Sequence, residues 1–372
     1  MISIPRAIVY VDLNVLEENY RAIKAKVPPR VKILCVVKAD AYGHGAIEVA
    51  RRLESNNVDY LGVATIDEGI ELRDNGITAP ILVMSGILAW DELEPVYKNM
   101  LTPVIHDFNM LKRIAEDGVH LDMPLKVHIK IDTGMGRLGF MPDDMPFVAG
   151  EIKKAGNIKV EGFMSHFSSS EKRDEYGMNQ IEICKKALQV LRDNNINPGI
   201  VHMANSGAIV NYPEAYFDMV RVGISLYGSY PARELSKRLH VKQVMRFISK
   251  IAHIREFPPG YRLSYGGTYT TRKKTKVAYV PVGYADGYPR ALSNKGSVLI
   301  KDTRCSIIGR ICMDWLLVDV TELEGVNVKE EVVLLGRSKT EVISADEIAE
   351  QTGTIPYEIL CKISKRVLRV YV

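Results

Sequence analysis

Val31-Lys32-Ile33-Leu34-Cys35-Val36-Val37 runs apolar almost without a break and is followed at once by Lys38-Ala39-Asp40-Ala41-Tyr42-Gly43-His44-Gly45. A short apolar run without alternation is how a strand buried on both faces of a parallel sheet reads. The same texture returns in Tyr60 to Ala64, Pro80 to Met84, Leu101 to Ile105, Leu125 to Asp132, Val160 to Met164, Ile200 to Met203 and Met219 to Gly223. Segments of helical period lie between, such as Gly45 to Leu53 and Asn179 to Leu191, the second with Ile181, Cys184, Leu188 and Leu191 at steps of three or four. Eight strand-helix units in about 230 residues match the size and rhythm of a (β/α)8 TIM-type barrel. A doubly wound open sheet is the competing arrangement of the same units.

Beyond Leu239 the chain changes to β-branched and aromatic runs broken by glycine turns, in Lys276 to Val282, Ser297 to Ile300, Leu316 to Val320 and Glu331 to Leu335. One short helix is expected over Ser344 to Gln351, with the serine as its cap and Glu347 three positions on. The expected fold class is therefore α/β: a (β/α)8 barrel over residues 1–239, then a mainly β C-terminal domain over residues 240–372, with Gly228 to His240 as linker.

The 372 residues are 47% apolar and 25% charged, which excludes collagen-like, disordered and disulfide-scaffold classes. A net charge of +4 offers no electrostatic case for nucleic acid or an anionic membrane as partner. The densest basic run, Arg272, Lys273, Lys274 and Lys276, reads as a solvated turn. Cys35, Cys184, Cys305, Cys312 and Cys361 are odd in number, scattered and without a C-x-x-C pair, so neither a disulfide framework nor a zinc ribbon is expected. The eight histidines contain no H-E-x-x-H, and no metal site is expected. Glycine-rich stretches such as Ser264 to Thr268 match neither nucleotide-binding fingerprint. Met1 to Arg6 lacks a basic segment leading into an apolar core, and no stretch reaches the roughly 18 apolar residues of a membrane span. A cytoplasmic location is the expectation.

Chemistry in a parallel barrel sits at the carboxyl ends of its strands. Reading just past each run gives Lys38, Lys130 with Asp132-Thr133-Gly134-Met135-Gly136-Arg137, Ser165-His166, Ala204-Asn205-Ser206, and Arg221-Val222-Gly223-Ile224. Singly, each has a structural explanation: Lys38 can snorkel at a rim, His166 can be a satisfied core histidine, Arg137 a surface ion pair. Together they are harder to dismiss, because uncompensated buried polar groups cost about 1–3 kcal/mol each. A lysine ending a buried strand is partly desolvated, which frees its amine as nucleophile or base. Gly223-Ile224 offers free amides where such barrels bind phosphate. An imine-forming lysine beside a phosphate site points to pyridoxal 5′-phosphate.

The segment Val37 to Gly45 resembles the lysine motif of the alanine racemase family, pyridoxal phosphate enzymes built from a barrel and a β domain. The similarity continues through Asp132 to Gly139, Arg221 to Gly228, Leu263-Ser264-Tyr265-Gly266, Gly283 to Gly287 and Cys312-Met313-Asp314. It implies that Lys38 carries the cofactor and serves as the base for the D-enantiomer. Tyr265, from a partner subunit, is implied as the opposite-face base for the L-enantiomer, which makes the protein a homodimer with shared sites. A phenol, with reference pKa near 10, needs neighbours that favour the phenolate; the resemblance assigns His166 and Arg221 to that network. It also places Arg221 at the pyridine nitrogen, Tyr42, Ser206, Gly223, Ile224 and Tyr357 at the phosphate, and Asn205 close behind. Arg137 and the Met313 amide are implied to hold the substrate, alanine, and Lys130 matches a position carbamylated in many members. The implied role is supply of D-alanine for cell-wall peptidoglycan.

Three positions depart from the family pattern: Pro356 in place of asparagine, Trp315 in place of a smaller polar residue, and Ser168 to Arg173 in place of an Ala/Asp-containing loop. The first and third bear on substrate breadth, so an amino-acid racemase of wider range, acting for example on serine, is one alternative. A decarboxylase of basic amino acids sharing both domains is another, but it places an acid at the pyridine nitrogen where this chain has Arg221. A non-enzymatic pyridoxal phosphate carrier is the third, and it has no use for Tyr265.

Overall fold

A computed structural model of the chain describes residues 5–117 and 122–372. Strand β1 (Ala7–Val11) comes first and stands outside the barrel. A closed parallel barrel follows, made by β2 (Lys32–Val36), β3 (Tyr60–Val63), β4 (Ile81–Val83), β5 (Leu101–Ile105), β6 (Leu125–Lys130), β7 (Ile158–Met164), β8 (Ile200–His202) and β9 (Met219–Val222). Each of the eight apolar runs is one of these strands, and β9 closes on β2 through Ile33↔Val220 and Leu34↔Arg221. This excludes the open doubly wound sheet. Helices cover the outside, among them Ala46–Ser55 and Glu175–Asp193, each close to the amphipathic segment expected there. Their starts follow local capping chemistry: Thr65 and Glu68 form a reciprocal capping box, and Asp174 accepts the Gly177 amide.

Strand β10 (Met245–Lys250) opens the second domain and pairs antiparallel with β1, which also pairs in parallel with Leu368–Tyr371. Hydrogen bonding thus hands Ala7–Val11, at the start of the segment assigned to the barrel, to the sheet of the β domain. That sheet continues from β10 to Glu331–Arg337, Ser297–Ile300 and Thr303–Ser306. A three-stranded sheet of His253–Phe257, Thr275–Val280 and Leu316–Asp319 stands beside it. A small ribbon, Arg262–Leu263 with Tyr269–Thr270, carries Tyr265 in its connecting turn. The expected helix is present as Ala345–Thr352; Ser344 caps it by accepting the Glu347 amide at 3.0 Å. The Glu347 carboxylate turns instead to Arg304, which offers it two charged hydrogen bonds at 2.7 and 3.0 Å.

The segment after β2 departs most from ordinary backbone. Ala39, Asp40, Ala41 and Tyr42 are all left-handed, with φ between 52° and 54°. Such a conformation costs roughly 1–2 kcal/mol per non-glycine residue, so the turn persists only because its surroundings hold it. Glu68 accepts the Ala39 amide at 2.7 Å, Asp40 accepts the Ala46 amide at 2.8 Å, and the Ala41 amide returns to the Val37 carbonyl at 2.8 Å. The reversal leaves Lys38 and Tyr42 on the same rim of the barrel. No helix among the described residues is long and apolar enough to cross a membrane.

Candidate active site

Lys38 lies two residues past β2 and is half-buried. Burial pushes its amine down from the ordinary lysine value, and the positive charges of Arg137 and Arg221 push the same way against Glu68. Lys130, the last residue of β6, is buried more deeply, and burial with Arg137, Arg221 and Lys38 nearby brings it down to about 8. Four basic groups, Lys38, Lys130, Arg137 and Arg221, therefore converge on one rim. Asp132 shapes the loop between them: its carboxylate accepts the amides of Gly134 and Met135 at 2.8 Å and of Arg137 at 3.0 Å. Burial alone raises its pKa, but the backbone donors outweigh that and hold it below the usual carboxylate range.

Arg221, on β9, is buried and makes five hydrogen bonds to uncharged acceptors. One terminal nitrogen, Nη1, donates to His202 Nδ1 at 2.9 Å and the His202 carbonyl at 3.0 Å. The other, Nη2, donates to the Ser165 carbonyl at 2.7 Å, His166 Nδ1 at 2.9 Å and the Met203 carbonyl at 3.1 Å. Its Nε–H has no partner among the described residues. Burial lowers its pKa to about 10, still well above neutrality. Burial together with Arg221, Arg137 and the two lysines keeps His166 neutral at physiological pH. His166 therefore joins this network as a hydrogen-bond donor and acceptor, with Arg221 supplying the charge.

A second cluster forms where β8 and β9 end. Ser206 Oγ accepts the Gly223 amide at 3.0 Å. The Tyr42 ring lies 5.0 Å from that of Tyr227 and 5.8 Å from that of Tyr357. A Cβ on Gly223 would stand 2.8 Å from the Tyr42 hydroxyl and 4.0 Å from Ser206 Oγ, so glycine keeps a notch open beside these two hydroxyls. Asn205 has a structural task beside it, capping Ser206–Asn211 through the Ala208 amide at 3.0 Å while accepting from Ser170 Oγ at 2.7 Å.

Tyr265 and Met313 stand apart from these residues. Both lie in the β domain, 69% and 53% exposed, and no hydrogen bond or ring contact joins Tyr265 to the barrel rim among the described residues. Their loops pack together: Ser264 Oγ donates to the Arg310 carbonyl at 2.6 Å, and the Tyr284 amide donates to the Cys312 carbonyl at 3.1 Å. Tyr284 and Trp315, near Met313 in these loops, are exposed as well. Arg6 lies 5.7 Å from the Trp315 ring centre, which gives this unexpected tryptophan a packing partner. Pro356 begins the helix Pro356–Cys361, where a missing N–H is harmless. The Ser168 to Arg173 loop is tied down by Asn211, which donates to the Ser170 and Glu171 carbonyls at 2.8 and 2.9 Å.

Sequence reasoning passed over His128 and His202, both fully buried inside the barrel beside Arg221. A histidine within an apolar strand run was the available signal. Glu68 was missed too, because its link to Ala39 exists only through the left-handed turn.

Residues 11–231 match the N-terminal domain model of alanine racemase and residues 244–371 the C-terminal one. The chain belongs to the alanine racemase family. Alanine racemase 2 of Caldanaerobacter subterraneus subsp. tengcongensis is 44% identical over 366 residues, covering 98% of this chain and 94% of that protein. The alanine racemase of Halothermothrix orenii is 43% identical over 362 residues, covering 97% and 95%. A solved alanine racemase of Clostridium difficile superimposes with a TM-score of 0.92 at 40% identity, covering all of this chain and 97% of that one. The Bacillus anthracis alanine racemase solved with bound L-Ala-P gives 0.91 at 33% identity, covering 99% and 95%. The two alanine racemase domain models meet this chain on either side of Ala232 to Gln243, the stretch that joins barrel to β domain.

Proposed function

We propose that this protein interconverts L-alanine and D-alanine with pyridoxal 5′-phosphate, as a cytoplasmic homodimer that supplies D-alanine for peptidoglycan. The observation that carries the cofactor is the Gly223 notch: a Cβ would collide there with Tyr42, whereas the bare backbone lets a phosphate approach the Gly223 and Ile224 amides beside Ser206 and Tyr357. Lys38 and the unpartnered Nε–H of Arg221 suit the other end of the same group. When bound, pyridoxal phosphate supplies the electron sink that makes the α-proton of the amino acid acidic.

The protein's own groups do the rest. The half-buried Lys38 amine, lowered in pKa, takes up or returns a proton on one face of the substrate. Arg221 keeps its proton and would hold the cofactor's ring nitrogen by donating a hydrogen bond rather than a proton, which would moderate the electron sink that the cofactor supplies. Arg137, at the rim beside Lys38 and Lys130, holds the substrate carboxylate, and the Met313 amide, which stands apart within one chain, joins it from the partner subunit. A carbamate on Lys130 turns the repulsion between Lys130 and Arg137 into an ion pair; an amine lowered to about 8 is the form that reacts with carbon dioxide. Tyr265 serves the opposite face from the partner subunit. Its exposure in a single chain is what an interface that completes the site requires.

The test is proton NMR in deuterated buffer with cofactor and L-alanine, L-serine or L-lysine, following loss of the α-proton together with optical rotation. Exchange with loss of rotation for alanine supports the reading and ranks the substrates. Carbon dioxide release, or no exchange with any of the three, overturns it.

A further inference from the structure

Arg221 is a buried cation, and no carboxylate pairs with it among the described residues; Arg137, Lys38, Lys130, His128 and the Cys184 thiol bear on it, with His166 and His202 in direct contact. Leaving a charge so placed without compensation is expensive. Hydrogen-bond polarity leads from it to an answer on the far side of the barrel. Arginine only donates, so His202 Nδ1 must hold a lone pair and the His202 proton sits on Nε2. That N–H meets His128 Nδ1 at 2.8 Å, so His128 in turn carries its proton on Nε2. His128 Nε2 is buried and has no hydrogen-bond partner among the described residues; the group ahead of it is the Glu161 carboxylate, 4.0 Å away.

Every proton in this string is thus assigned by its neighbours. Both imidazoles are neutral, since burial and Arg221 lower His128 to about 3 and His202 well below its ordinary value. Space is reserved for the string: a Cβ on Gly162 would stand 2.4 Å from the His128 ring. Glu161 is held from the other side by Lys126 at 2.9 Å, Thr102 at 3.4 Å and the Tyr60 hydroxyl.

We propose that Glu161 is the remote counter-charge of Arg221, acting through His128 and His202, which are positioning residues that orient the guanidinium. In an interior of low dielectric the carboxylate polarises His128, His128 polarises His202, and His202 Nδ1 becomes a stronger acceptor for Arg221. The consequence for catalysis rests on the racemase reading; the string itself does not.

Cofactor-free protein labelled with 15N in the histidine rings tests the string directly. Between pH 6 and 8 we expect both His128 and His202 to be neutral with the proton on Nε2, and Glu161→Gln to shift the resonances of both while leaving the exposed His253 unmoved. A proton on Nδ1 of either ring, or a shift confined to His128, overturns the proposal. In the holoenzyme Glu161→Gln should lower kcat about three- to tenfold with KM for alanine unchanged, the scale of one weakened charged hydrogen bond. Lys126→Met, which removes the competing partner of Glu161, should not lower it. Equal losses in the two variants would make this corner merely structural and overturn the proposal. Absence of racemase activity in the unaltered protein would instead sink the functional reading and leave the NMR result standing.

Discussion

Arg221 Nη2 donates to His166 Nδ1 at 2.9 Å, which obliges the neutral His166 ring to carry its proton on Nε2. The imidazole can then only donate from its outward nitrogen, and a donor stabilises a phenolate over a phenol. Tyr265 of a partner subunit meeting that nitrogen would be readied as a base. We predict that Tyr265→Ala suppresses proton removal from L-alanine roughly 10²- to 10⁴-fold, and from D-alanine far less, in single-turnover deuterium exchange. Equal losses for both enantiomers would contradict bases on opposite faces.

Lys38 is the half-buried amine at the rim, flanked by Arg137 and Arg221. Lys38→Ala should abolish the absorbance of lysine-bound cofactor and nearly all racemisation. A spectrum that survives the substitution would mean that another lysine holds the cofactor.

Tyr265 makes no hydrogen bond or ring contact with the barrel rim of its own chain among the described residues. Mixing inactive Lys38→Ala and Tyr265→Ala chains should therefore restore up to one complete site per heterodimer. If subunit exchange is proven by mass spectrometry and activity stays absent, each site is built within one chain.

Lys130 is lowered from 10.5 to about 8 by burial and then by Arg137 and Arg221. For a base with a depressed folded pKa, the protonated form is what the fold disfavours. The penalty is full below about pH 8 and fades as pH rises toward the unfolded value. As a free amine, Lys130 costs roughly 3 kcal/mol at pH 7, so Lys130→Met should raise stability by up to that amount in urea unfolding at pH 7, and less at pH 10. A carbamate removes the penalty; with 13C-bicarbonate present, a carbamate resonance lost in Lys130→Met and no stabilisation by that variant would show that it forms.

Ser206 Oγ is the acceptor for the Gly223 amide, and its own hydroxyl proton remains free to donate. Ser206→Ala should weaken cofactor binding about tenfold, near 1.4 kcal/mol, in equilibrium dialysis. Gly223→Ala should weaken it further, because its Cβ is directed at the Tyr42 hydroxyl. Unchanged affinity in both would move the phosphate site elsewhere.

The barrel was legible because a strand buried on both faces must be apolar throughout, and eight such runs separated by helical segments have few ways to close. The rim residues were legible for the same reason: a polar residue ending an apolar run is conspicuous, as Lys38, Lys130, His166 and Arg221 are. Sequence by itself thus determined the barrel followed by a mainly β domain, and marked the polar residues that end its strands. Tertiary structure decided what depends on distant segments meeting. It gave β1 to the sheet of the second domain, since edge hydrogen bonds pair residues more than two hundred positions apart. It turned Ala39 to Tyr42 left-handed against local preference, because Glu68 and Asp40 repay the strain through contacts that no local pattern displays. It also assigned the protons of His166, His202 and His128, since a ring's tautomer is set by the neighbour it faces and only the closed barrel brings Arg221 to face them.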